Sequence, residues 1–102
     1  MDINLLVLKK LLDIPKGKVT TYGCLAKVCD LKSPRYIGKI MAKNDRPDIY
    51  PCYKVVASDG ALTGYSAEGG LEIKKKMLEA DGVVFKNNGK VDLEKSLYSF
   101  VN

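Results

Sequence analysis

The chain has 102 residues, 46% hydrophobic and 28% charged, with nine glycines and four prolines; this gives room for one domain and excludes disordered, fibrous and low-complexity classes. Seventeen Lys and Arg against twelve Asp and Glu give a net charge of +5 and a pI near 9.1, a balance that suits a polyanionic partner such as nucleic acid or, equally, a plain basic surface. The longest apolar run, Leu5-Leu6-Val7-Leu8, is too short to span a bilayer and no small-residue cleavage site follows it, so no membrane anchor or secretion signal is expected.

Taken in chain order, Ile3, Leu5, Leu6, Leu8, Leu11 and Leu12 after Asp2 predict an amphipathic helix over residues 3–13, stopped by Ile14-Pro15-Lys16-Gly17. Lys18-Val19-Thr20 is a short extended link. Thr21 caps a helix from about Tyr22 to Cys29 with Leu25, Ala26 and Val28 inward, and Asp30-Leu31-Lys32 is the turn. Ser33 followed by Pro34 is a helix start, and the helix runs to about Lys43 or Asn44. On it Arg35, Lys39 and Lys43 fall within an arc of about 80°, opposite Ile37, Ile40 and Met41. Two short helices joined by a tight turn, the second with a basic outer face, make a helix-turn-helix candidate, a pattern that plain core packing also produces.

Residues 45–51 contain Pro47 and Pro51 and read as irregular; Val55-Val56 is a short buried segment and Ser58-Asp59-Gly60 a turn, followed by a loop through Gly64, Gly69 and Gly70. Leu71, Ile73, Met77 and Leu78 predict a helix over residues 71–80 closed by Gly82, with Lys74-Lys75-Lys76 as its solvated face. Val83-Val84-Phe85 and Lys90-Val91 around Asn88-Gly89 predict a small hairpin, and Asp92 caps a last helix over about residues 92–101 carrying Leu93, Leu97 and Phe100. The expected fold is mainly α: a single winged helix-turn-helix-like domain over residues 1–102 with a small β hairpin. Met1 and the lone final helix lead us to expect a complete small protein, and a monomer.

Three cysteines without a secretory signal indicate a reducing compartment, hence the cytoplasm, and no disulfides. A zinc site is not expected: Cys24 and Cys29 point in different directions on a helix, Cys52 is alone, and the chain has no histidine. Cys24 and Cys29 read as packing residues. Cys52, in a Pro-flanked irregular segment beside a Gly-rich loop, is either a buried structural thiol or a nucleophile within reach of a ligand.

Ile14-Pro15-Lys16-Gly17-Lys18-Val19-Thr20-Thr21-Tyr22-Gly23, Leu25-Ala26, Arg35-Tyr36-Ile37-Gly38, Asn44, Pro51-Cys52-Tyr53-Lys54-Val55-Val56, Ser58-Asp59-Gly60 and Gly64-Tyr65 stand in order over roughly residues 3–85. This series resembles the DNA-binding and active-site domain of the methylated-DNA-protein-cysteine methyltransferases. The resemblance implies that Cys52 accepts an alkyl group from the 6-oxygen of a guanine flipped out of double-stranded DNA, acting once and without a cofactor. It implies that Tyr22 crowds the target phosphate and donates to the departing guanine, and that Arg35 enters the stack in place of the flipped base. Asn44 would brace the active-site turn, Val55 would belong to the guanine-binding wall, and Tyr65 with Ser66 would close over the base. Lys39 and Lys43 would contact phosphates, which sets affinity and salt dependence rather than sequence. The location implied is the nucleoid, or the nucleus of a eukaryote.

The reaction needs a thiolate, and an ordinary cysteine with pKa about 8.5 is only a few per cent ionised at neutral pH. In the family a histidine next to the cysteine, linked to a glutamate, removes the proton through water. Here Tyr53 stands at the histidine position, Asp81 where the glutamate would fall, and Lys54 in place of the usual arginine. A tyrosine is a poor base at neutral pH, so the usual relay is absent; Tyr53 passing a proton toward Asp81, or Lys54 favouring the thiolate, would give a slower acceptor. The alternative is a non-catalytic binder. Short alkyltransferase-like proteins share this domain without a separate N-terminal one, bind alkylated guanine and recruit other repair factors, but usually carry tryptophan or alanine at the cysteine position.

Overall fold

The fold was obtained as a computed structural model, whose described residues are 2–46, 48–63 and 70–100. The Asp2 carboxylate accepts from the Asn4 N–H at 3.0 Å and starts helix α1, Ile3–Lys10. The last turn then tightens into a 3-10 turn, Leu11–Asp13, because Pro15 has no N–H with which to continue the helix. Val7, Leu11 and Ile14 become the buried stripe, whereas Leu12, expected inside, is 55% exposed.

Thr20–Thr21 forms strand β1 and leads straight into helix α2, Tyr22–Val28, whose N-terminal Cys24 N–H is capped by the Thr21 hydroxyl at 3.1 Å. A sharp turn follows, with Asp30 in the left-handed region at φ 58° and the Leu31 N–H returning to the Ala26 carbonyl at 2.8 Å. Ser33 caps and Pro34 opens helix α3, Pro34–Ala42. Leu25 of α2 and Ile37 of α3 are fully buried, each contributing about 2 kcal/mol of apolar burial. The helix-turn-helix arrangement is present, α3 also packing on α1.

After the irregular stretch comes a 3-10 turn, Cys52–Lys54, and strand β2, Val55–Val56, which pairs with β1 in parallel: Thr20 opposite Val55 and Thr21 opposite Val56. Helix α4, Gly70–Asp81, ends at Gly82, whose φ of 98° needs no Cβ. Its inward face differs from expectation. Lys74 and Leu78 are buried while Leu71 and Ile73 are exposed, because Lys74, Leu78 and Asp81 follow one another at helical spacing on one side.

The hairpin is narrow: one antiparallel bridge, Phe85 with Val91, closed by Lys86 N–H to Lys90 carbonyl at 2.8 Å. Asp92 caps helix α5, but α5 is a single turn, Leu93–Ser96, rather than a helix to about residue 101. Beyond it the chain runs extended, since Val19 recruits it: the Val19 N–H donates to the Ser96 carbonyl and its carbonyl accepts from the Tyr98 N–H, both at 2.8 Å. Tyr98 and Phe100 pack edge to face at 5.0 Å and cover the core built from α1, α2 and α3.

Gly60 has φ 90°, and a Cβ there would collide with the Val91 carbonyl oxygen and lie 3.2 Å from the Val91 nitrogen. The Gly60 carbonyl also accepts from the Val91 N–H at 2.9 Å, so the backbone has no room to yield. Gly60→Ala is therefore expected to lower stability by about 3 kcal/mol, measured as a fall in the urea midpoint.

Candidate active site and nucleic-acid interface

The parallel pair β1–β2 brings two distant segments together, since Tyr22 begins where β1 ends and Cys52–Lys54 ends where β2 begins. Cys52 is buried and belongs to the core cluster of α1–α3, while its neighbour Tyr53 packs against the second cluster of Val19, Val56, Leu78, Val83 and Val91. The turn is braced from below. Asn44 Nδ2 donates to the Tyr50 carbonyl at 2.9 Å, the same carbonyl that accepts from the Cys52 N–H at 2.8 Å, while Asn44 Oδ1 accepts from the Arg46 N–H at 3.1 Å.

Tyr22 is half-buried and its hydroxyl donates to the Thr63 carbonyl at 3.1 Å. Burial pushes its phenol above the ordinary value of 10; the bond to Thr63 opposes this and negative charge on Cys52 adds to it. The same Thr63 carbonyl accepts from Lys74 Nζ at 2.8 Å, and Lys74 Nζ also donates to the Val55 carbonyl at 2.6 Å. Lys74 is thus not part of a solvated face. At 1% exposure it is the largest fully buried side chain of the described residues, and Lys75 and Lys76 alone point outward. Burial lowers its pKa from 10.5 to about 8, with negative charge on Cys52 acting in the opposite direction. Three successive lysines hid it in the sequence; the available signal was its helical spacing to Leu78 and Asp81.

Lys54, expected as a support for the thiolate, is occupied elsewhere. Its Nζ lies 3.2 Å from Asp81 Oδ2 and donates to the Ile14 and Pro15 carbonyls at 3.4 and 3.2 Å. The same Asp81 oxygen accepts from the Gly17 N–H at 2.8 Å, so both charges are held in a nearly closed clamp joining the 14–17 loop, the Cys52 turn and α4. Breaking such a pair on one side leaves an uncompensated buried charge.

Arg35, Lys39 and Lys43 are all exposed on α3 opposite the buried Ile37, Ile40 and Met41. Tyr65 and Ser66 lie outside the described residues. A cavity of about 210 Å³ between α2 and the C-terminal segment, lined by Cys24, Val28, Tyr98 and Phe100 among others, does not include Cys52. Among the described residues no three His, Cys, Asp or Glu side chains gather as metal ligands, and no helix is long and apolar enough to cross a membrane.

Residues 2–83 match the family described as the DNA-binding domain of 6-O-methylguanine DNA methyltransferase. The chain belongs to that family. It is 50% identical over 74 residues to a methylated-DNA--protein-cysteine methyltransferase of Pyrobaculum aerophilum, covering 72% of this chain and 48% of that protein. To a bifunctional methyltransferase/endonuclease of Picrophilus torridus it is 44% identical over 90 residues, covering 87% and 28%. The chain thus spans about half or less of the length of these relatives. In structure it is similar to S. pombe Atl1, solved in complex with damaged DNA containing O6-carboxymethylguanine: the TM-score is 0.80 at 26% identity, over 97% of both chains.

The chain buries the ammonium of Lys74 between the carbonyls of Val55 and Thr63. Because the folded pKa of Lys74 lies below its ordinary value, the unfolded chain binds more protons between pH 8 and 10.5, so stability rises with pH across that window. Below pH 8 the full cost remains, about 3 kcal/mol against the ionised form. Urea unfolding at pH 7 and pH 10 is expected to show the rise in the native protein and its absence in Lys74→Gln.

Proposed function

We propose that this chain is a DNA repair protein that binds double-stranded DNA, flips out an alkylated guanine and takes the alkyl group from the guanine 6-oxygen onto Cys52 in a single irreversible turnover. The observation that carries the reading is the pairing of β1 with β2, which sets Tyr22, at the start of the helix pair, against the core cluster that contains Cys52 on its braced turn. Family membership and the Pro51-Cys52 segment support it further.

In this reading the exposed face of α3 lies along the duplex. Arg35, at the start of α3, fills the gap left by the extruded base and offsets the few kcal/mol that unstacking costs. Lys39 and Lys43 neutralise phosphates. The guanine enters beside Val55, with Tyr65 and Ser66 closing over it, and the Tyr22 hydroxyl leaves the Thr63 carbonyl to donate to the departing base. Attack by the thiolate forms a carbon–sulfur bond as the carbon–oxygen bond breaks. The resulting thioether is stable, so each molecule acts once, with no cofactor. Such a protein acts at the nucleoid or in a nucleus.

A second reading, lesion binding without transfer, is favoured by one observation: the likeness to S. pombe Atl1, solved in complex with damaged DNA, runs over 97% of both chains. Intact mass after incubation with methylated-guanine duplex separates the two. Transfer adds one methyl group to the native protein and none to Cys52→Ser; tight binding with unchanged mass would leave the binder.

The interface has its own expectation. Arg35→Ala should weaken binding to a lesion duplex about tenfold in a fluorescence titration, and Lys39→Ala should lower the slope of log affinity against log salt by about one. If Arg35→Ala binds the lesion as tightly as the native chain, Arg35 does not enter the stack.

A further inference from the structure

The other described aromatic side chains all pack against one of the two cores, but Tyr36 is 41% exposed. An exposed apolar residue needs no explanation by itself. Its place is informative: Tyr36 is the third residue of α3, the helix that carries Arg35, Lys39 and Lys43 outward. At about 100° per residue it stands about 20° from Lys43, about 60° from Lys39 and about 100° from Arg35, at the edge of the basic arc and beside the buried Ile40.

The side chain is also steadied. Its hydroxyl donates to Asn4 Oδ1 of α1 at 3.4 Å, a long bond that biases the far end of the ring toward α1. A tyrosine has only two side-chain torsions, and one biased in this way has less freedom to lose on binding. An uncharged ring among cations contributes differently from them. Lysines on phosphates release counter-ions, so their share of the affinity falls with salt; a ring laid on sugar carbons removes apolar surface from water and releases none.

We propose that Tyr36 is a nucleic-acid contact of α3, its ring packing on the deoxyribose carbons of the strand whose phosphates Lys39 and Lys43 neutralise. This rests on the reading of the exposed face of α3 as the surface that lies along double-stranded DNA. The occupant is set by charge: three cations on the same helix border the ring, which suits a polyanion, and deoxyribose is the apolar part of DNA that adjoins its phosphates. Every nucleotide carries the same sugar, so the contact serves damaged and undamaged duplex alike, whereas Arg35 answers to the extruded base.

The test titrates the native chain, Tyr36→Ala and Tyr36→Phe by fluorescence against two duplexes of one sequence, with and without methylated guanine, over a series of salt concentrations. Tyr36→Ala is expected to bind both duplexes about fivefold more weakly with the slope of log affinity against log salt unchanged, and Tyr36→Phe to stay within about twofold of native. Should Tyr36→Ala fail to fold, Tyr36→Gln, which keeps a polar end for Asn4, decides in its place. An alanine variant with native affinity overturns the proposal. So does one whose salt slope falls by about one, because the loss then runs through a phosphate contact. A phenylalanine variant as weak as alanine also overturns it, because the hydroxyl and not the ring is then the contact. If the native chain binds both duplexes equally and Tyr36→Ala still weakens both, the repair reading fails and the ring contact stands; if the native chain binds neither, both fail.

Discussion

The two-residue parallel ladder between Thr20–Thr21 and Val55–Val56 is the constraint on which the site depends. Parallel strands require a long crossover, and here α2 and α3 supply it, so the pairing that closes the domain also sets the helix pair beside the Cys52 turn. A ladder this short has little stability of its own. It persists because it is buried: Val55 lies in one core cluster and Val56 in the other, and Thr20 is fully enclosed. Val19 extends the pairing through its two bonds to Ser96 and Tyr98, which draws the C-terminal segment over the first core.

The turn sits at the seam between the two cores, and the charged groups of the interior gather there. Lys54 and Asp81 lock the loop before β1 to the end of α4, and Lys74 locks β2 to Thr63. These bonds have different consequences. The Lys54–Asp81 pair neutralises itself, so it orders the backbone without projecting a net charge, whereas among the described residues Lys74 bonds the neutral carbonyls of Val55 and Thr63. One polar group also joins α2 to α4, because the Thr63 carbonyl is shared by Tyr22 and Lys74.

The helix-turn-helix was legible because its signals are local: Thr21, Ser33 and Pro34 cap helices whatever they later pack against, and the α3 pattern separates basic from apolar residues cleanly. The ladder was not legible, since a two-residue strand has no periodicity and its partner lies more than thirty residues away. The last helix was overread because Leu97 and Phe100 hold a helical spacing that Val19, a distant partner, overrides. Lys74 was misread for the opposite reason. Its residue type argued for solvent, and only the fold supplies the two carbonyls that let a lysine be enclosed.

Enclosing it is costly on the scale of the domain. Against a total stability of about 5–15 kcal/mol for a small domain, an ammonium disfavoured by about 3 kcal/mol is a large fraction, and a methionine of similar length would fill the space without it. Two hydrogen bonds to neutral carbonyls return about 1–3 kcal/mol each, which offsets that cost and satisfies carbonyls that a methionine would leave unpaired. Lysines elsewhere on α4 reach solvent freely, as Lys75 does above the Phe85 ring at 5.8 Å. A buried lysine whose charge acts toward the Cys52 turn is the kind of exception to core rules that functional sites show. Lys74 is therefore enclosed by the two carbonyls through which it ties α4 to β2 and to Thr63.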